Sequence, residues 1–236
     1  AGTASSPVGL IFDYESAYAW EAQPQGKDFD YFHLVYEFYR ALRALGLNID
    51  ILPPDGADCS AYDIVFAPGL LHLNKERCAA YGQTRVVYGP RTGLKTDELS
   101  VAVPLGPGIP GLDLRITHVE SLPPAHPIAL EGGGLIWKWI EHVEGEAEVR
   151  EVTRDGLPVL LGAGPCHYLT GWPDAEGLKR LTRQLVEEAG LTTLTLPEHL
   201  RVRETATHRF WINYGAEAVT HGDRTIAAAD VIWERL

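Results

Sequence analysis

The 236-residue chain is expected to be an α/β protein built on a parallel sheet with right-handed crossovers, followed by a small β appendage. Short apolar runs alternate with a helix-period segment over the first ninety residues, the pattern of βαβ units. Runs such as VGLIF (Val8–Phe12) are continuously apolar, as strands covered on both faces should be. From about Leu200 the texture changes to short strands separated by turns, which sets the appendage apart.

The elements follow in order. Val8–Phe12 is the first strand, and the polar stretch DYESAYAWEAQPQG (13–26) reads as a loop. A helix is predicted from about Asp28 to Leu45. Phe29, Phe32, Tyr36, Tyr39 and Leu42 recur at spacings of three and four and are expected to form its core face. Glu37, Arg40 and Arg43 take the other face, and Gly46 stands where a left-handed C-terminal residue is usual. NIDIL (48–52), ended by Pro53-Pro54, DIVFA (63–67) and RVVY (85–88) are the next strands. Residues 90–134, dense in Pro and Gly, read as a long and mostly irregular excursion. Strand-like runs resume at 135–140, 147–153, 157–162 and 166–170. A second helix then runs from an Asp174 cap through Leu178, Leu181, Leu185 and Val186 to Gly190. The final strands lie in RVRETA, HRFWINY, EAVTH and RTIAAADVIW; this stretch is small for an independent core and is expected to pack on a neighbour.

Composition narrows the function classes. With 45% hydrophobic and 22% charged residues the chain can bury a real core. Its 20 basic and 32 acidic residues give a net charge of −12, which argues against nucleic acid or an anionic membrane as the main partner. No apolar run is long enough to span a bilayer. Residues 1–7 read as a flexible tail, and three Cys without CxxC spacing fit reduced thiols in a cytoplasmic chain. The absence of methionine, even at position 1, suggests a piece of a longer polypeptide.

Few constellations carry chemistry. Glycoside cleavage needs two carboxylates roughly 5–10 Å apart. Glu15 and Glu21 lie near Tyr14, Tyr18 and Trp20, a sugar-site texture, yet both acids sit on one segment, and packing through the aromatics is the better reading. The turn after RVVY, where α/β enzymes place a nucleophile, reads Gly89-Pro90-Arg91-Thr92-Gly93; Arg91 cannot attack, and Thr92 has no identified base. Cys166 and His167 are strand neighbours that point to opposite faces, so a buried structural Cys166 is expected. The nine His form neither HxH nor HExxH, and GGG (132–134) and GAG (162–164) lack a phosphate-binding context. Neither a metal nor a cofactor is predicted.

Two stretches are distinctive: GLIFDYESAYAWEAQPQGKDFDYFHLVYEFYRALRALGLNIDILPP (9–54) and VVYGPRTGLKT (86–96). Together they resemble the middle domain of family 42 glycoside hydrolases, the microbial β-galactosidases. LIWKWIEHVE and RFWINYG look like the end of that domain and the start of a short C-terminal β domain. The resemblance implies a flavodoxin-like, doubly wound fold related to class I glutamine amidotransferases over 8–195, with a small β domain over 196–236. It implies a trimerisation role beside a (β/α)8 barrel that holds both catalytic glutamates. The sequence contains no Asn-Glu dipeptide, the acid/base motif of the wider clan, so no catalytic residue carries over and the chain alone is expected to be inactive.

The expected partners are that barrel and neighbouring subunits, in a homotrimer. The contact residues would lie on strand-end loops: Asp13, Tyr14, Glu15 and Trp20 on one, Arg91 and Lys95 on the other, with Asp13 and Glu15 pairing with Arg91 or Lys95. The alternative is a surviving amidotransferase-like hydrolase that uses Cys166 or Thr92 as nucleophile.

Overall fold

The computed structural model describes residues 4–26 and 28–236. Strands β1 (Val8–Ile11), β2 (Ile49–Leu52), β3 (Ile64–Ala67) and β4 (Arg85–Tyr88) pair in parallel in the order β2-β1-β3-β4. Their continuous apolar runs serve two cores at once. Ile64, Phe66 and Val87 point into one cluster, while Val65, Ala67, Val86 and Tyr88 point into another. Helix α1 spans Tyr14–Ala22, α2 Tyr31–Ala44 and α3 Lys75–Tyr81.

The excursion after β4 is more ordered than its Pro and Gly content predicts. It holds β5 (Arg115–Ser121) and β6 (Ile128–Ala129), both paired with β7 (Leu135–Glu144). Strands β8 (Glu148–Val152), β9 (Pro158–Ala163), β10 (Cys166–Leu169) and β11 (Gly171–Pro173) follow, then α4 (Ala175–Glu188). The sheet is mixed, which corrects the expectation of a parallel one. Strand β10 joins β4 in parallel, but β9 and β8 add antiparallel beyond it because tight turns connect them in place of helices. Strands β11, β7, β5 and β6 form a second sheet.

Two further differences concern helices. The stretch 13–26, read as a loop, holds α1. The Asp13 carboxylate accepts the Glu15 and Ser16 amides as an N-cap, and Ser16 and Trp20, one turn apart, are the buried residues of this helix. In α2 the predicted core face is only partly buried: Phe29, just before the helix, and Leu42 enter the core as expected. Leu34, Val35, Phe38, Ala41 and Leu42 are buried with Tyr31, whereas Phe32, Tyr36 and Tyr39 are exposed. Helix α4 is as predicted, with Leu178, Leu181, Leu185 and Val186 buried.

Strands β12 (Leu200–Glu204), β13 (His208–Asn213) and β16 (Val231–Arg235) form the C-terminal sheet, and β14 (Val219–His221) pairs with β15 (Arg224–Ile226). Their small core of Leu196, Leu200, Val202, Trp211 and Ile226 leans on the main body. Arg43 donates to the Val202 carbonyl at 2.8 Å and Asn48 to that of Glu204 at 2.7 Å. Of the expected tail at 1–7, residues 1–3 lie outside the described residues. Within the rest, the Pro7 carbonyl accepts the Asp63 amide and the Ser5 carbonyl accepts from Asn48.

Asp174 joins helix to sheet, since its Oδ1 accepts the amides of Gly177 (2.9 Å) in α4 and Leu135 (3.0 Å) in β7. Asp174→Ala is expected to cost about 1–2 kcal/mol, read as a Tm lowered by several degrees in calorimetry, with Asp174→Asn closer to wild type.

Candidate functional site

The carboxyl ends of the parallel strands converge on the turn after β4. Gly89 is at φ +84°, and a Cβ there would stand 2.1 Å from the Leu169 carbonyl oxygen, so only glycine lets β4 and β10 approach this closely. Arg91 follows at φ +65°, a left-handed conformation that is unfavourable for a residue with a side chain. An α/β enzyme would present its nucleophile at such a turn; here the turned backbone carries the side chain inward. Arg91 is 2% exposed, with its guanidinium carbon 4.0 Å from the Trp20 ring centre and 5.4 Å from that of Trp139. Desolvated contacts of this kind are worth about 2 kcal/mol. Arg91 Nε and Nη1 have no hydrogen-bond partner among the described residues.

Glu141 of β7 holds this turn. It is 1% exposed and accepts from the Arg91 amide (2.8 Å), Trp139 Nε1 (3.2 Å) and the Tyr168 hydroxyl (2.8 Å). One carboxylate thereby joins the β4 turn, β7 and β10. Burial pushes Glu141 up to about 7 against the pull of its donors and of Arg91, and burial lowers Arg91 to about 10. Sequence reasoning passed over Glu141, although the period-two run Trp137, Trp139, Glu141 places an acid on a face of large aromatics.

The other candidates sit around this centre. Asp13 is buried as the α1 cap, its amide donates to the Tyr31 hydroxyl at 2.9 Å, and its carboxylate accepts from Ser16 Oγ at 2.6 Å. Trp20 is buried and donates to the Gly69 carbonyl at 3.2 Å. Tyr14 is exposed with its edge toward Phe12. The expected pairing of Asp13 and Glu15 with Arg91 or Lys95 does not form. Both acids approach Arg77 at 4.0 Å, because Arg91 is turned under Trp20 and Lys95 donates to Gln23 at 2.9 Å. Arg77 of α3, which also holds Asp55 at 2.7 Å, was not foreseen.

Groups for a covalent mechanism are not assembled. Thr92 Oγ1 accepts the Gly89 amide and donates to the Ala67 carbonyl. Cys166 is half-buried rather than buried, and burial raises its thiol above the ordinary range. His167 lies on the opposite face, 2.6 Å from Arg150 Nη1, and burial lowers it to about 4. The amidotransferase alternative therefore has no support. Among the described residues, no group of three His, Cys, Asp or Glu could hold a metal, and no helix is long and apolar enough to cross a membrane. What does face outward is aromatic. A groove of about 930 Å³ between α1 and α2 is lined by Tyr14, Tyr18, Phe32, Glu21, Asp28 and Lys138, among others.

Removing Glu141 leaves three buried donors, the Arg91 amide, Trp139 Nε1 and the Tyr168 hydroxyl, without their acceptor. Glu141→Ala is expected to destabilise by about 3–5 kcal/mol in denaturant unfolding, at about 1–3 kcal/mol for each unsatisfied donor, and Glu141→Gln, which keeps one oxygen, by clearly less. A folded value raised above the unfolded one means that the native state holds this proton more tightly. The Glu141 contribution is thus present at low pH and is lost as pH rises to about 7. Stability measured across that window should lose the corresponding fall in Glu141→Gln.

Residues 6–192 match the family described as the β-galactosidase trimerisation domain. A β-galactosidase of Thermus thermophilus is 41% identical over 226 residues, covering 92% of this chain and 34% of the relative. One from Halorubrum lacusprofundi is 31% identical, covering 86% and 33%. The crystal structure of a β-galactosidase from the psychrophilic Marinomonas ef1 superimposes with a TM-score of 0.93 at 32% identity, over 99% of this chain and 38% of that one. The chain thus spans about a third of the length of the curated relatives it matches, and its described residues contain no (β/α)8 barrel. The match over residues 6–192 and the 41% identity to the Thermus thermophilus relative lead to one conclusion: the chain belongs to the β-galactosidase trimerisation domain family.

Proposed function

We propose that this chain is the assembly portion of a family 42 glycoside hydrolase, a β-galactosidase whose hydrolysis of β-galactosides is carried out by a (β/α)8 barrel outside these residues. The strand-end face docks against that barrel and neighbouring subunits, and the assembly is a homotrimer. One observation carries this reading: Tyr14, Tyr18 and Phe32 are 68%, 66% and 64% exposed, side by side, on a rim held in place by a buried framework. Clustered aromatics mark interface cores more than solvated surface. Asp13, Trp20 and Arg91 are the framework, Tyr14 and Glu15 the contact residues, and Lys95 pins the turn to the end of α1.

Residues 8–195 act as the flavodoxin-like, amidotransferase-related unit and 196–236 as the β appendage. The mixed edge strands are an addition to the doubly wound pattern. Three free cysteines support a cytoplasmic setting.

Light scattering on the 236-residue chain is expected to give a trimer, and a chromogenic galactoside no turnover above background. A chain that stays monomeric at high micromolar concentration contradicts self-assembly, and turnover contradicts a non-catalytic role.

A further inference from the structure

Phe32, Tyr36 and Tyr39 of α2, which were expected to enter the core, are instead exposed, and their stripe ends in a cluster of arginines. Phe32 and Tyr36 are stacked with ring centres 6.3 Å apart, and the Arg40 guanidinium lies 5.8 Å from the Tyr36 ring centre. Beyond them a groove of about 330 Å³ runs between α2 and the C-terminal sheet, lined by Tyr36, Tyr39, Arg40, Arg43, Arg201 and Arg203 among others. In a chain with a net charge of −12, none of these four arginines forms an ion pair among the described residues. Arg43 donates to the Leu47 and Val202 carbonyls and Arg201 to those of Glu198 and Leu200, while Arg40 and Arg203 are exposed. Burial, and after it the charge of Arg40, lowers Arg201 below the ordinary guanidinium range. Glu198 also lines the groove and its charge raises Arg201 against that trend, so one carboxylate faces four guanidinium groups.

The opposite end of the same helix has the complementary character. Glu21 and Asp28 are exposed on the rim of the aromatic groove and form no ion pair among the described residues. The nearby cation, Lys138, lies 4.4 Å from the ring centres of both Trp137 and Trp172. Helix α2 has 14 residues, so the two ends stand about 20 Å apart. They are distinct patches on one continuous aromatic stripe.

A closed three-fold ring requires a heterologous contact, in which one patch of each subunit meets a different patch of the next. We propose that the arginine groove between α2 and the C-terminal sheet receives the acidic aromatic rim, Glu21 and Asp28 with Tyr14 and Tyr18, of a second copy of this chain. This rests on the trimerisation reading and names the surface that performs it. Arginine and tyrosine are the residues that concentrate binding energy at interface centres, and opposite charges at the two ends set the direction of the contact. The C-terminal β strands then have a task of their own, since they supply Arg201 and Arg203.

Charge reversal with light scattering tests this. Wild type is expected to be trimeric. Arg40→Glu with Arg203→Glu, and separately Glu21→Arg with Asp28→Arg, are each expected to be monomeric. The four substitutions combined, which restore opposite signs across the contact, should recover the trimer. That recovery also guards against a pair of substitutions that merely unfolds the chain. A wild-type trimer that both reversals leave intact overturns the inference while the trimerisation reading stands. A combined variant that stays monomeric with a native circular dichroism spectrum overturns it as well. A monomeric wild-type chain overturns both.

Discussion

A single buried carboxylate organises this domain. Glu141 is placed by β7, yet its acceptor positions are filled by the Arg91 amide, the Trp139 indole and the Tyr168 hydroxyl, groups that belong to both sheets. An acid taken this far from water is tolerated only when its oxygens are satisfied and a positive charge lies close. The Arg91 guanidinium rests on the Trp20 and Trp139 faces without a salt bridge to Glu141, and its charge pulls on the carboxyl less than the three hydrogen bonds do. The left-handed backbone at Arg91 and the helix that brings Trp20 over the turn hold this arrangement closed, while glycine at 89 lets β4 and β10 approach.

The same arrangement occupies a turn of enzyme-like geometry. At the end of a central parallel strand, a left-handed residue beside a glycine can lift a nucleophile into a cleft. Here the residue is a guanidinium, the neighbouring hydroxyl of Thr92 is spent on the Ala67 carbonyl, and the cleft is filled by Trp20, Trp139 and Phe29. Outside this packing lies the rim of α1 and α2, where Tyr14, Tyr18 and Phe32 remain uncovered.

Helix α2 is apolar on two sides. Its aliphatic side, with Leu34, Val35, Phe38 and Leu42, packs on the sheet and α4. Its aromatic side ends in Arg40 and Arg43 beside the C-terminal strands. The small β unit, whose own core is only a handful of residues, is tied down through Arg43 and Asn48. Its placement and the exposed stripe therefore depend on one helix.

Much of this was written in local patterns. Continuous apolar runs identified β1, β3 and β4, and the Asp174 cap with leucines at helical spacing identified α4, because capping and burial on both faces leave their mark within a few residues. The glycine-bounded turn at 89–93 was equally legible. Helix α1 was hidden because it buries only Ser16 and Trp20, too narrow a stripe to give a period. Glu141 was hidden because its partners come from residues 91 and 168, far away in the chain. For α2 the sequence determined that an amphipathic helix would form, but two stripes satisfied the same spacing. Only the packed sheet decided between them: Leu34, Val35, Phe38 and Leu42 join the core with Tyr31, while Phe32, Tyr36 and Tyr39 are left to face outward.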